Sequence, residues 1–228
     1  MAGMGMSLRV VVPPHPLIGH WLTLLRERST PPPLFGTAMA ELGRWLTYEA
    51  VRDWLPQRRL ELDTPLARTE GVVVDSAVPL LVIPMLRAGL GLWQGGVQVL
   101  PAAAVAHVAL RAEAVEGPVE WILDTLPTPL EERLGVLIYV PTIGSGASLL
   151  ALLERLRGLG VAGDRLRVIT ALASAPGLKA IGERIPELTI YCACIDAELD
   201  AQGRILPGCG DPVERLYGFQ PGPGETPA

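Results

Sequence analysis

Val136-Leu137-Ile138-Tyr139-Val140, then Pro141 to Ala147, then Ser148 to Arg157 with leucine at helical spacing, is the stretch whose reading decides the fold. A continuous apolar run predicts a buried strand, the small residues predict a tight loop, and the leucine period predicts a helix. Gly144, Ser145, Gly146, Ala147 and Ser148 lack bulk, so their backbone N–H groups can close around an anion at a helix start. That is the expected phosphate-binding loop, with an ordinary glycine turn joining strand to helix as the alternative reading of the segment taken alone. It matches neither a P-loop, since no lysine follows the glycines, nor a dinucleotide fingerprint, since Leu149 stands where a third glycine is needed. A hydrolase nucleophile elbow needs a histidine further along, and the last histidine is His107.

Moving downstream, Leu166–Ala173, Gly177–Arg184 and Leu188–Ala193 read as strand, helix and strand. Alternating units of this kind predict an α/β fold with a mostly parallel sheet flanked by helices. Ligands bind such sheets beyond the carboxyl ends of the strands, where 141–148 and 195–212 fall. Upstream, Leu8–Val12 reads as a short strand and His15–Arg28 as a helix, with Pro31, Pro32 and Pro33 breaking the chain. Leu42, Trp45, Leu46, Ala50 and Trp54 mark a long amphipathic helix over 34–55. Arg59–Asp63 and Gly71–Asp75 are expected to pair as strands, and Leu80–Pro84 is an apolar strand ending at Arg87. Val97–Leu100, Ala102–Leu110 and Val119–Leu126 read as further extended segments.

At 228 residues the chain can bury one sizeable core, so a single domain over 1–220 is expected, with a disordered Pro/Gly-rich tail at 221–228. A net charge of −5 with scattered Lys and Arg argues against a nucleic-acid surface. Asp75, Pro79, Pro84 and Arg87 interrupt the most apolar region, so no membrane partner is expected. Three cysteines in apolar segments suit reduced thiols and a cytoplasmic location, and no protein metal site is expected. The histidines are expected to pack or cap, and the tryptophans to anchor a core or an interface.

Several segments together resemble the uracil phosphoribosyltransferase family over about His15 to Gly218. They are His15-Pro16-Leu17-Ile18-Gly19-His20 with Leu22 to Arg26, Tyr48 to Asp53, Ile83-Pro84-Met85-Leu86-Arg87-Ala88-Gly89-Leu90-Gly91, and Ile195-Asp196 through Ile205-Leu206-Pro207-Gly208-Cys209-Gly210-Asp211. The resemblance implies a phosphoribosyltransferase-type sheet with a small C-terminal hood after Ile195. It also implies a reaction of uracil with 5-phosphoribosyl 1-diphosphate, carried with Mg²⁺, to give UMP and diphosphate. Arg87 and Asp211 take the catalytic positions in that likeness, with Arg87 on the diphosphate side and Asp211 beside the ribose. The 144–148 loop holds the 5-phosphate, while Ile205 and Gly210 meet uracil through backbone groups. A homo-oligomer is implied too, and the apolar surface around Trp45 and Trp54 suits either that or another protein partner.

Three positions depart from the family pattern. Val140 stands where the family has an aspartate that accepts bonds from the ribose hydroxyls, and a buried hydroxyl left unpaired costs about 1–3 kcal/mol. Ala112 stands where a phosphate-binding arginine is expected, with Arg111 one residue early and so turned to the other face unless a bulge intervenes. Pro212 removes an N–H that the family supplies to the base. Two readings follow: a working enzyme with altered contacts, or a catalytically degenerate homologue that keeps a phosphate pocket for binding or scaffolding. Asp211 likewise has two readings, ribose acid or turn cap.

Overall fold

The computed structural model describes residues 7–112 and 114–218, so the tail expected to be disordered at 221–228 lies outside the described residues. Strand β1 (Arg9–Val11) leads to helices α1 (Pro16–Arg26) and α2 (Pro32–Val51). His15 caps α1, its Nδ1 accepting from the Leu17 amide at 3.2 Å, and its ring stacks on Trp45 at 5.2 Å. The prolines start α2 as well as ending the preceding segment. Pro32 and Pro33 occupy its first positions, where a missing N–H would have had no intrahelical partner.

Next come β2 (Gln57–Asp63) and β3 (Arg68–Val74), an antiparallel hairpin apart from the main sheet, then β4 (Leu80–Pro84), α3 (Gly89–Val99) and β5 (Ala104–Val105). The extended segment expected at 97–100 is instead the end of α3. Alternating valines favour a strand locally, but glycines let α2 and α3 pack closely: a Cβ on Gly95 would lie 1.6 Å from the Ala40 carbonyl oxygen, and one on Gly43 1.9 Å from that of Leu92. Tertiary packing here overrides β propensity.

A second hairpin, β6 (Val108–Ala112) with β7 (Val119–Asp124), precedes β8 (Gly135–Ile143), α4 (Ala147–Gly158), β9 (Leu166–Ser174), α5 (Ala175–Arg184) and β10 (Thr189–Asp196). Short strands β11 (Glu198–Leu199) and β12 (Ile205–Leu206) and helix α6 (Pro212–Tyr217) follow. The main sheet has six strands in the order β1-β10-β9-β8-β4-β5, and every neighbouring pair is parallel. Val136, Ile138 and Val140 alternate onto one face, in an apolar layer with Leu149, Leu152 and Ile181 of α4 and α5. Leu137 and Tyr139 enter the other layer with Phe35, Leu42 and Trp93.

The surface expected around Trp45 and Trp54 is used largely within the chain. Trp45 stacks on His15, while Trp54 donates from Nε1 to the Asp164 carbonyl at 2.8 Å and lies under the Arg167 guanidinium. Among the described residues no helix is long and apolar enough to cross a membrane.

Candidate active site

Strand β8 continues past Val140, where a loop was expected, because Thr142 and Ile143 stay in register with Leu172 and Ala173 of β9. Pro141 is tolerated there because β4 ends at Pro84, opposite Tyr139, leaving β8 paired from that point with β9 only. The chain then turns through Gly144, Ser145 and Gly146, which has a φ of +83° and forms the N-cap of α4. Helix α5 braces this turn from beneath. Ser174 Oγ donates to the Gly144 carbonyl at 2.6 Å and accepts from the Gly177 amide at 2.9 Å, and a Cβ on Gly177 would lie 2.1 Å from the Gly144 carbonyl oxygen. The first amides of α4, with the positive end of its macrodipole, face the turn and suit an anion.

A cleft of about 170 Å³ separates this turn from the C-terminal segment. Thr142 and Gly144 line one side; Gly203, Arg204, Ile205, Cys209, Gly210, Asp211 and Pro212 line the other. Gly144, Ile205, Gly210 and Asp211 are thus brought together from distant parts of the sequence. Ser145 and Gly146 complete the turn while Ala147 and Ser148, expected in the loop, form the first turn of α4, and none of the four is among the residues lining the cleft. Arg87 is exposed on the turn after β4 and does not line the cleft, but its carbonyl accepts from the Tyr217 hydroxyl at 3.1 Å. That bond ties the Arg87 turn to α6. Burial raises the Tyr217 phenol, with the Arg87 charge opposing, and burial pushes the Cys209 thiol up to about 11.

Asp211 caps α6: its Oδ1 accepts from the amides of Val213 at 2.7 Å and Glu214 at 3.1 Å. Pro212 takes the first helical position, where proline fits. Other side chains that hold this segment were not assigned from sequence. Arg26 and Asp196 form a two-bonded ion pair at 2.9 and 2.6 Å, and Arg215 donates to the carbonyls of Leu25, Glu27 and Cys209. A signal for Asp196 was present, an acid ending an apolar strand. Arg215 offered none, because its acceptors are main-chain oxygens mostly far away in sequence.

The departures also have structural settings. Val140 is 6% exposed, in the same apolar layer as Ile138. A bulge interrupts β6 and β7, but Ala109 pairs Leu123 and Leu110 pairs Trp121, so the extra residue, Ile122, belongs to β7. Consecutive β6 residues keep their alternation, and Arg111 is exposed beside Glu120 at 3.6 Å. Ala112 pairs with Val119.

A family model described as uracil phosphoribosyltransferase matches residues 12–219. A uracil phosphoribosyltransferase from Synechococcus elongatus is 48% identical over 215 residues, covering 94% of this chain and 99% of the relative. One named chloroplastic, from Arabidopsis thaliana, is 37% identical and is matched over 92% of this chain and 71% of its own length. A solved protein structure from Aquifex aeolicus superposes with a TM-score of 0.81 at 29% identity, covering 91% of this chain and 97% of that one. With its parallel sheet, its loop at the end of β8 and these relatives, the chain belongs to the uracil phosphoribosyltransferase family.

Proposed function

We propose that this protein joins uracil to 5-phosphoribosyl 1-diphosphate, forming UMP and releasing diphosphate, within one phosphoribosyltransferase-like domain. The observation that carries the reading is the cleft with Gly144 on one wall and Ile205, Gly210 and Asp211 on the other. In this reading the amides of Gly144 to Ser148 hold the 5-phosphate, and the forked donors of Arg87 serve the diphosphate. Backbone groups at Ile205 and Gly210 meet the uracil edge, and Asp211 stands beside the ribose. As the C1–O bond to diphosphate breaks, C1 becomes cation-like and the uracil nitrogen attacks, its proton leaving to the departing diphosphate or to water, so positioning and charge stabilisation carry the catalysis. Mg²⁺ would enter with the sugar diphosphate and would offset the charge that develops on the departing diphosphate.

The test is UMP formation from uracil, the sugar diphosphate and Mg²⁺. Turnover is expected, and its absence at saturating substrate overturns the reading. A second reading, a homologue that binds nucleotide without turning over, is favoured by Val140, whose buried side chain offers no acceptor for a ribose hydroxyl. Calorimetric titration with UMP separates them: binding without turnover supports the second reading, and a normal rate removes it.

We also infer a homo-oligomer in a cytoplasmic setting, the latter supported by three free thiols suited to reducing conditions. The homo-oligomer is supported by the β2–β3 hairpin. Nearly all its residues are exposed, including Val72 and Val74, and an isolated two-stranded hairpin has little stability of its own. It carries both signs of charge, Arg59 and Arg68 beside Glu70 and Glu61, which suits a self-complementary contact with a second copy.

A further inference from the structure

We infer that Arg26 and Asp196 are positioning residues for the base-reading loop, an inference that rests on the reaction proposed above. Asp196 ends β10 at 5% side-chain exposure, and Arg26 ends α1 at 22%. Their fork is two-bonded, Nη1 to Oδ2 at 2.9 Å and Nη2 to Oδ1 at 2.6 Å. The same pair takes both main-chain groups of Gly208: its amide donates to Asp196 Oδ2 at 3.0 Å, and its carbonyl accepts from Arg26 Nη1 at 3.0 Å.

The loop is tight at this point. Gly208 has a φ of +60°, and a Cβ on it would lie 2.2 Å from the Ile205 carbonyl oxygen. The next carbonyl, that of Cys209, accepts from Arg215 Nη1 at 2.9 Å, and the same guanidinium donates to Leu25 at 2.5 Å and Glu27 at 2.6 Å while lying 4.3 Å over the Phe35 ring. The end of α1 therefore anchors the loop through Arg26 itself and through carbonyls on either side of it. The ion pair holds both main-chain groups of Gly208 and Arg215 holds the Cys209 carbonyl, so these bonds fix the loop between Ile205 and Gly210, both of which line the cleft. Recognition through fixed main-chain groups depends on placement to within about 0.5 Å.

The phosphate loop is braced separately, by Ser174 and Gly177 at the start of α5. Loosening the ion pair therefore weakens uracil binding and leaves the sugar diphosphate side in place. Arg26→Lys keeps the charge but loses the fork, and Asp196→Asn replaces one acceptor oxygen with an NH2 donor that faces groups able only to donate, the Arg26 guanidinium and the Gly208 amide. In either variant the KM for uracil is expected to rise about tenfold or more, with the KM for the sugar diphosphate and the kcat at saturation within about threefold of the parent. Hydrogen exchange should quicken at 208–210 and stay unchanged in β8 and α4. If Asp196→Asn does not fold, the milder Arg26→Lys decides the matter by the same measurements. A parent protein with no turnover removes both the reaction and this inference. A parent that turns over, with folded variants whose uracil KM is unchanged or whose two KM values rise together, removes the positioning role alone.

Discussion

Val140 has no group that accepts a hydrogen bond and is 6% exposed among aliphatic side chains, so a carboxylate there is desolvated until a ligand hydroxyl meets it. Val140→Asp is expected to lower the stability of the free protein by about 1–3 kcal/mol and to raise kcat/KM for the sugar diphosphate. Thermal unfolding with and without that substrate, together with initial rates, checks both parts; an unchanged melting temperature and rate would remove the assigned role. Its neighbour Tyr139 faces the opposite layer, fully buried, with its hydroxyl 2.7 Å from Thr47 Oγ1. Tyr139→Phe is expected to cost about 1 kcal/mol in urea unfolding, because Thr47 retains its bond to the Gly43 carbonyl. At this scale the sequence exposed local chemistry well. His15 as a helix cap and the small residues at 144–148 depend on their immediate neighbours. The Tyr139–Thr47 bond and the reach of Arg215 depend on helices packed from far along the chain, which no local pattern encodes.

Helix α5 shows how one element tunes another. Its N-cap, Ser174, satisfies the Gly177 amide and grips the Gly144 carbonyl at the same time. Ser174→Ala is expected to cost about 1 kcal/mol of stability through the cap and to raise the KM for the sugar diphosphate more than that for uracil. Gly177→Ala is more severe for the site, since its Cβ would meet the backbone oxygen of Gly144 at 2.1 Å and the loop would have to move. Phosphate-side affinity measured by calorimetry is expected to fall by about tenfold, because displaced amides no longer converge. Most elements were readable from periodicity, including the pairing of β2 with β3. The errors have physical causes: α3 extends through Val97 to Val99 because glycines press it against α2, and β8 extends past Pro141 because the neighbouring strand has already stopped.

For the molecule as a whole, alternation of strands and helices implied a parallel sheet but not its strand order, which depends on crossovers and on β1 pairing with β10 at the far edge. Global burial also sets an alkaline limit. The thiols of Cys192 and Cys209 are pushed from the ordinary value of 9.0 to about 12 and about 11 by burial. Above pH 9 the unfolded chain releases these protons while the folded chain keeps them, so their stabilising contribution is present below pH 9 and is lost as pH rises through the folded values. Denaturant unfolding is expected to show stability falling above pH 9, by up to about 1.4 kcal/mol per thiol per pH unit, with a shallower fall in Cys209→Ala. Assembly is the remaining global property, and it turns on the hairpin. Val72 and Val74 are two residues apart on β3, so they share one face, at 59% and 53% exposure. Val72→Glu with Val74→Glu would place like charges against a second copy while leaving the main sheet untouched. Light scattering after size exclusion is expected to show an oligomer for the parent and a monomer for the double variant, with the melting of the core retained. A monomeric parent, or a variant that stays associated, would exclude this hairpin as the contact.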